Sequence, residues 1–166
     1  MSEKERALAA RTVLQQCLRA RLQVRPAGER SEAEFVQVRM DRGTVLYICF
    51  FKGATDDILP KMAVHHLLNL ADCAKHDSGK LSSLLELPGS LLIVPQATLG
   101  GEARGRDVQY HTDISKEDGL RLHSAFVSLR QQEVAKAGPT VRHGSYGNRQ
   151  VLSLDTNGPF THPMEF

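Results

Sequence analysis

Apolar residues gather into a few patterned segments along the chain, and each pattern predicts a different element. From Thr44 to Phe51 the sequence reads TVLYICFF, a β-branched and aromatic run flanked by Gly43 and Gly53. A run without polar interruption predicts a strand buried on both faces. DDILPKMAVHHLLNL follows, with acidic residues and Pro60 in its opening turn and Leu59, Ala63, Leu67 and Leu70 on one stripe. That pattern predicts an amphipathic helix. A second buried strand is expected from Ser90 to Val94, ended by Pro95 and opening into a loop that closes with Gly100-Gly101. Ser115 and Asp118 are spaced as in a capping box, and Leu122, Phe126 and Leu129 repeat at helical spacing until Gly138-Pro139, which predicts a second helix. Beyond it, TVRHGSYGNRQVLSLDTNGPFTHPMEF reads as β-structure with turns at Gly144, Gly147 and Gly158.

The N-terminal segment admits two readings. Local propensity makes SEKERALAARTVLQQCLRARL helical throughout. From Thr12 onward, Val13, Leu14, Cys17, Leu18, Leu22 and Val24 also fit a strand with a bend. With two helices among several strands, the fold class is α+β.

Composition narrows the picture only a little. A chain of 166 residues, 41% hydrophobic and 24% charged, suits one domain over residues 1–166 with a sizeable core. Its net charge of +2 permits contact with a polyanion but is low for a dedicated DNA-binding domain. Cys17, Cys49 and Cys73 are odd in number and never form CxxC, which argues against a disulfide scaffold or zinc knuckle and for a reducing, cytoplasmic compartment. No apolar run approaches the roughly 20 residues that span a bilayer, so no membrane association is expected.

Most familiar chemistries find no footing. His65 and His66 are adjacent, which on a helix turns them about 100° apart, and no HExxH or Cys/His pairing accompanies them. No metal site and no cofactor are expected. Neither GxSxG nor GxxxxGK[ST] occurs. Cys49 falls inside a buried strand and reads as a core thiol rather than a nucleophile. GGEARGR reads as a flexible basic loop, in which Arg104 and Arg106 are candidates for an RNA backbone. Two loop motifs remain, PQATLGG at 95–101 and TNGPFTH at 156–162. Taken singly, each is ordinary turn chemistry.

Together and in this order, Pro95-Gln96-Ala97-Thr98-Leu99 and Asn157-Gly158-Pro159-Phe160-Thr161 resemble the two signatures of the D-aminoacyl-tRNA deacylase family. LYICFFKGA, LPKM and HGSYGNRQVL resemble its animal-specific branch, so the likeness runs from about Val13 to Phe166. It implies a compact domain of two β-sheets with helices on one side, paired as a homodimer. It also implies strand over Thr12 to Val24, with helix confined to residues 2–10.

The implied activity is translational proofreading, by hydrolysis of the ester joining an amino acid to the 3′ adenosine of tRNA. Gln96, Ala97 and Thr98 would line the catalytic site, with main-chain donors of Ala97 and Thr98 facing the scissile carbonyl. Asn157, Gly158, Pro159, Phe160 and Thr161 would reach across the dimer into the partner's site and read the chirality of the amino acid. Arg104, Arg106, Arg142 and Arg149 are candidates for tRNA contact. Pro95 and Ala97 replace the Ser and Phe of common family members, implying a roomier site for D-aminoacyl-tRNA, glycyl-tRNA and small L-residues such as L-alanine on threonine tRNA. The competing expectation is an inactive tRNA-binding accessory module of the same fold.

Overall fold

The computed structural model describes residues 8–25, 34–38, 43–67, 74–75, 81–82, 90–134, 141–144, 146, 150–156 and 161–166. In chain order its elements are β1 (Ala10–Cys17), β2 (Arg19–Arg25), β3 (Glu34–Val38), β4 (Gly43–Phe50), α1 (Ile58–Leu67), β5 (Ala74–Lys75), β6 (Leu81–Ser82), β7 (Ser90–Pro95), a 3-10 turn (Ala97–Gly100), β8 (Glu102–Arg104), β9 (Asp107–Gln109), α2 (Lys116–Val134), β10 (Val141–His143), β11 (Leu152–Asp155) and β12 (Thr161–Glu165).

The central sheet has the order β10-β7-β4-β1-β12. β4, β7 and β10 are parallel neighbours, while β1 runs antiparallel to both β4 and β12. Parallel neighbours need a crossover; α1 lies between β4 and β7, and α2 between β7 and β10. A second, antiparallel sheet has the order β11-β2-β3.

Three layers follow from which side chains each face buries. On one face of the central sheet, Leu46, Ile48, Leu91 and Ile93 meet Leu59 and Met62 of α1 and Leu122 and Phe126 of α2. On the other, Val45, Leu92 and Val94 meet Ala20 and Leu22 of the second sheet, with Leu152 and Leu154 packed against them. Successive side chains of a strand point to opposite faces, so β4 is apolar throughout because each face has its own cover. The two-sheet α+β architecture with helices on one side is the one expected. Arg130 joins the helices: its Nη1 donates to the Ala63 carbonyl at 3.3 Å, and its guanidinium lies 5.4 Å from the Phe126 ring centroid.

The N-terminal region is strand, as the resemblance implied and against local propensity. β1 pairs with β4 over eight positions and with β12 over five, and the expected bend falls at Leu18, between β1 and β2. Propensity differences amount to a few tenths of a kcal/mol per residue, less than leaving two ladders and a buried face unpaired. The helical expectation over 2–10 fails at its end: Leu8 and Ala9 are not helical, and Ala10 opens β1. The cause is the C-terminus, whose Phe166 carbonyl accepts from the N–H groups of Ala9 at 2.6 Å and Ala10 at 3.1 Å. Residues 2–7 lie outside the described residues.

Two helix expectations need adjustment. The first turn of α1 contains no acidic residue, because Asp56 and Asp57 precede Ile58; Leu70 lies outside the described residues. At the start of α2 the Asp118 N–H donates to Ser115 Oγ at 3.3 Å, but the Ser115 hydroxyl donates to Asp118 Oδ2 at 3.2 Å, so the side chains bond each other in place of a reciprocal box. Gly138, Pro139, Gly147 and Gly158 lie outside the described residues. Among the described residues no helix is long and apolar enough to cross a membrane.

Candidate active site at the end of two parallel strands

β4 and β7 remain paired up to Ile48 and Pro95, and there the second strand leaves the ladder. The Gln96 N–H still donates to the Ile48 carbonyl at 2.8 Å, and the chain then coils so that the Leu99 N–H donates to the Gln96 carbonyl at 3.2 Å. The first N–H groups of such a turn have no carbonyl one turn behind them. Those belong to Ala97 and Thr98, both exposed. Gln96 Nε2 donates to Thr98 Oγ1 at 2.5 Å, fixing both side chains beside the main-chain donors. Gln96, Ala97 and Thr98 are thus together, on the wall of a cavity of about 680 Å³, where the carboxyl ends of parallel strands commonly hold ligands.

Beneath the turn lies Cys49 of β4. Its Sγ donates weakly, 3.7 Å from the Ala97 carbonyl oxygen and 3.7 Å from Asp113 Oδ1. Burial, with the Asp113 charge adding to it, pushes the Cys49 thiol up to about 12, so it stays protonated and acts as a donor. Asp113 is bridged to Phe51; burial raises its carboxyl, and the bond from Cys49 opposes that.

The facing wall comes from α2 and the segment after β10. His123 is 3% exposed, with its ring 6.2 Å from His143 and 5.7 Å from Tyr146 between centroids. Burial first, then His143, lower His123 to about 4, opposed by the Gly144 carbonyl, which meets neither ring nitrogen at hydrogen-bond geometry. The imidazole is therefore neutral at physiological pH. Burial first, with the Asp113 charge adding to it, raises the Tyr146 phenol; Gln150 completes this side.

The model of the family described as D-Tyr-tRNA(Tyr) deacylase matches residues 13–165. The chain belongs to that family. Among its relatives, D-aminoacyl-tRNA deacylase 2 of Danio rerio is 60% identical over 164 residues, covering 96% of this chain and 100% of the relative. The Homo sapiens protein of the same name is 54% identical over 172 residues, with 100% of both chains covered. A solved structure described as a probable eukaryotic D-amino acid tRNA deacylase superposes with a TM-score of 0.79 at 26% identity, covering 96% of this chain and 100% of that one. A c-Myc DNA unwinding element binding protein shares the fold, with a TM-score of 0.77 at 19% identity.

Of the second deacylase-family motif, Thr161 alone is among the described residues. Thr161 opens β12 opposite Gln15, which faces Val45 at the early end of β4, whereas the cavity lies at Ile48, Cys49 and Phe50. Ile48 stands three residues beyond Val45, about 10 Å along the strand at about 3.3 Å per residue. Asn157, Gly158, Pro159 and Phe160 lie outside the described residues.

The basic candidates also separate. Arg104 and Arg106 belong to a β8–β9 hairpin rather than the loop expected, since Gly105 at φ +62 closes a tight turn. Both are exposed, and Arg104 pairs with Glu102 at 3.2 Å. Arg142 lies in β10, with its side chain outside the described residues, as is all of Arg149. Asp113, His123, Tyr146 and Gln150 were not singled out from the sequence. One of them left a signal: His123 adjoins Leu122 and stands four residues before Val127, on the buried side of α2.

Proposed function

We propose that this protein is an aminoacyl-tRNA deacylase, hydrolysing the ester between a mischarged amino acid and the 3′ adenosine of tRNA. The observation that carries this is the Gln96–Thr98 turn, whose residues line a cavity at a strand end in a chain of this family. An aminoacyl ester is already activated. Its hydrolysis needs a placed water or the neighbouring 2′-hydroxyl, together with donors for the developing oxyanion. Ala97 and Thr98 supply those donors through their N–H groups; Gln96 and the Thr98 hydroxyl orient the ester. The reaction calls for no cofactor and no side-chain nucleophile, which accords with a Cys49 thiol held protonated.

The substrates are D-aminoacyl-tRNA, glycyl-tRNA and L-alanine misattached to threonine tRNA. Pockets that separate amino acids by one small group discriminate poorly, which gives a second hydrolytic check its purpose. The protein works in the cytoplasm as a homodimer. The dimer reading takes Thr161 to start β12 opposite Gln15, whose partner Val45 sits at the early end of β4, and a second copy would deliver Gly158 and Pro159 to the cavity. Glycine allows that close approach and proline withholds an N–H. Arg104, Arg106, Arg142 and Arg149 contact the tRNA backbone.

The test is release of labelled amino acid from D-alanyl-, L-alanyl- and glycyl-tRNA, with and without a double substitution of Gly158 and Pro159. Fast release of the D-ester, lost on substitution, is the expected result. Binding that weakens steeply with salt, with no release from any ester, would instead identify an inactive tRNA-binding module.

A further inference from the structure

Asp113 is a carboxylate on the cavity wall whose charge is uncompensated. It lines the cavity together with Ala97 and Thr98, burial raises its carboxyl, and no cation among the described residues pairs with it. Lys116, a charged neighbour on the same wall, makes no ion pair with it either. Its fixed contact is the thiol of Cys49, a weak donor. Gly100 accommodates it closely, since a Cβ there would lie 1.7 Å from Asp113 Oδ1. Oδ1 thus lies between the thiol and the turn, and the carboxylate borders the cavity with no cation beside it among the described residues.

We infer that Asp113 anchors the α-ammonium group of the aminoacyl ester. This rests on the deacylase reading and adds a recognition element to it. The geometry fits the size of the group. Asp113 Oδ1 and the Ala97 carbonyl oxygen each lie 3.7 Å from the same sulfur, so the carboxylate cannot be farther than twice that from the turn. An α-ammonium stands only two bonds from the carbonyl carbon, so an ester with its carbonyl at the Ala97 and Thr98 N–H groups places its ammonium on the stretch of cavity wall that Asp113 shares with them. Electrostatics fit the sign: a carboxylate raised by desolvation is relieved by a cation. A metal ion would seek several oxygens, whereas one ammonium needs one. Water is a poorer occupant because it brings no charge to offset the burial.

The test compares D-alanyl-tRNA with D-lactyl-tRNA, in which a hydroxyl of nearly equal size replaces the ammonium. Each kcat/KM is divided by that ester's spontaneous hydrolysis rate, and both are measured for the wild type and for Asp113→Asn. The wild type should favour the alanyl ester by about 10- to 100-fold, the worth of one charge-assisted hydrogen bond. In Asp113→Asn that preference should vanish while lactyl ester hydrolysis persists. Equal normalised rates on both esters in the wild type would overturn the assignment and leave the deacylase reading intact, as would an undiminished preference in Asp113→Asn. Wild-type protein inert on both esters would remove the deacylase reading and this inference together. The wild-type comparison needs no variant to fold.

Discussion

A Cβ placed on Gly100 would stand 1.7 Å from Oδ1 of Asp113 and 3.2 Å from the Phe51 ring. The last residue of the 3-10 turn and the carboxylate below it therefore share space that no larger residue leaves. Gly100→Ala should displace Asp113 or the turn, at a cost of about 1–3 kcal/mol typical of overpacking. Urea unfolding should show a lower midpoint with unchanged slope, and deacylation should slow by more than the unfolded fraction explains. Activity and midpoint equal to wild type would mean that the turn relaxes freely.

The thiols of the fold should be chemically quiet. Burial pushes Cys17 up to about 11, and burial with the Asp113 charge pushes Cys49 up to about 12, so the reactive thiolate is scarce at neutral pH. In a Cys73→Ser background, since Cys73 lies outside the described residues, alkylation of the native protein should be at least about 100-fold slower than of a free thiol. Reaction should become fast on denaturation. Rapid labelling of native Cys49 would contradict the protonated thiol beneath Ala97.

Stability should depend on pH through His123. Its folded value is lowered to about 4 from 6.5, by burial first and His143 second, so between those values the unfolded chain binds more protons than the folded one. The contribution is fully present above pH 6.5 and is lost as pH falls toward 4, by roughly 3 kcal/mol in all. Denaturant unfolding at pH 7.5, 5.5 and 4.5 should show this loss, reduced in His123→Phe. Parallel loss in both proteins would assign it to other groups.

Main-chain catalysis predicts an order of sensitivity. Thr98→Ala removes the hydroxyl that Gln96 Nε2 contacts at 2.5 Å but keeps both N–H groups, and should cost less than about 10-fold in turnover. Replacing the terminal adenosine by its 2′-deoxy analogue should cost more, on the order of 100-fold, if the ribose hydroxyl takes part. The reverse order in single-turnover rates would make the Thr98 side chain a participant.

What could be read from the chain and what could not divides along physical lines. β4 and β7 were visible as uninterrupted apolar runs because two layers cover them, and α2 announced itself through Ser115, Leu122 and Phe126. β1 was hidden, since its residues are good helix formers and its strand state depends on β4 and β12, which lie far off in the chain. Family likeness rather than propensity pointed to it. Gln96, Ala97 and Thr98 were accessible as a motif. Asp113 and His123 were not, because their place on one cavity with Cys49 is produced by packing of a loop and a helix against a strand end. Tyr146 and Gln150 come from a segment with no periodicity to flag them.

β12 closes the central sheet by pairing residues 161–165 with 11–15, and Phe166 exchanges main-chain bonds with Ala10. The sheet's first strand is therefore completed by residues more than 140 positions away in the chain. Without them β1 offers a bare edge that invites pairing with other chains. A chain that lacks residues 161–166 would be an adhesive polypeptide rather than a slightly shortened one.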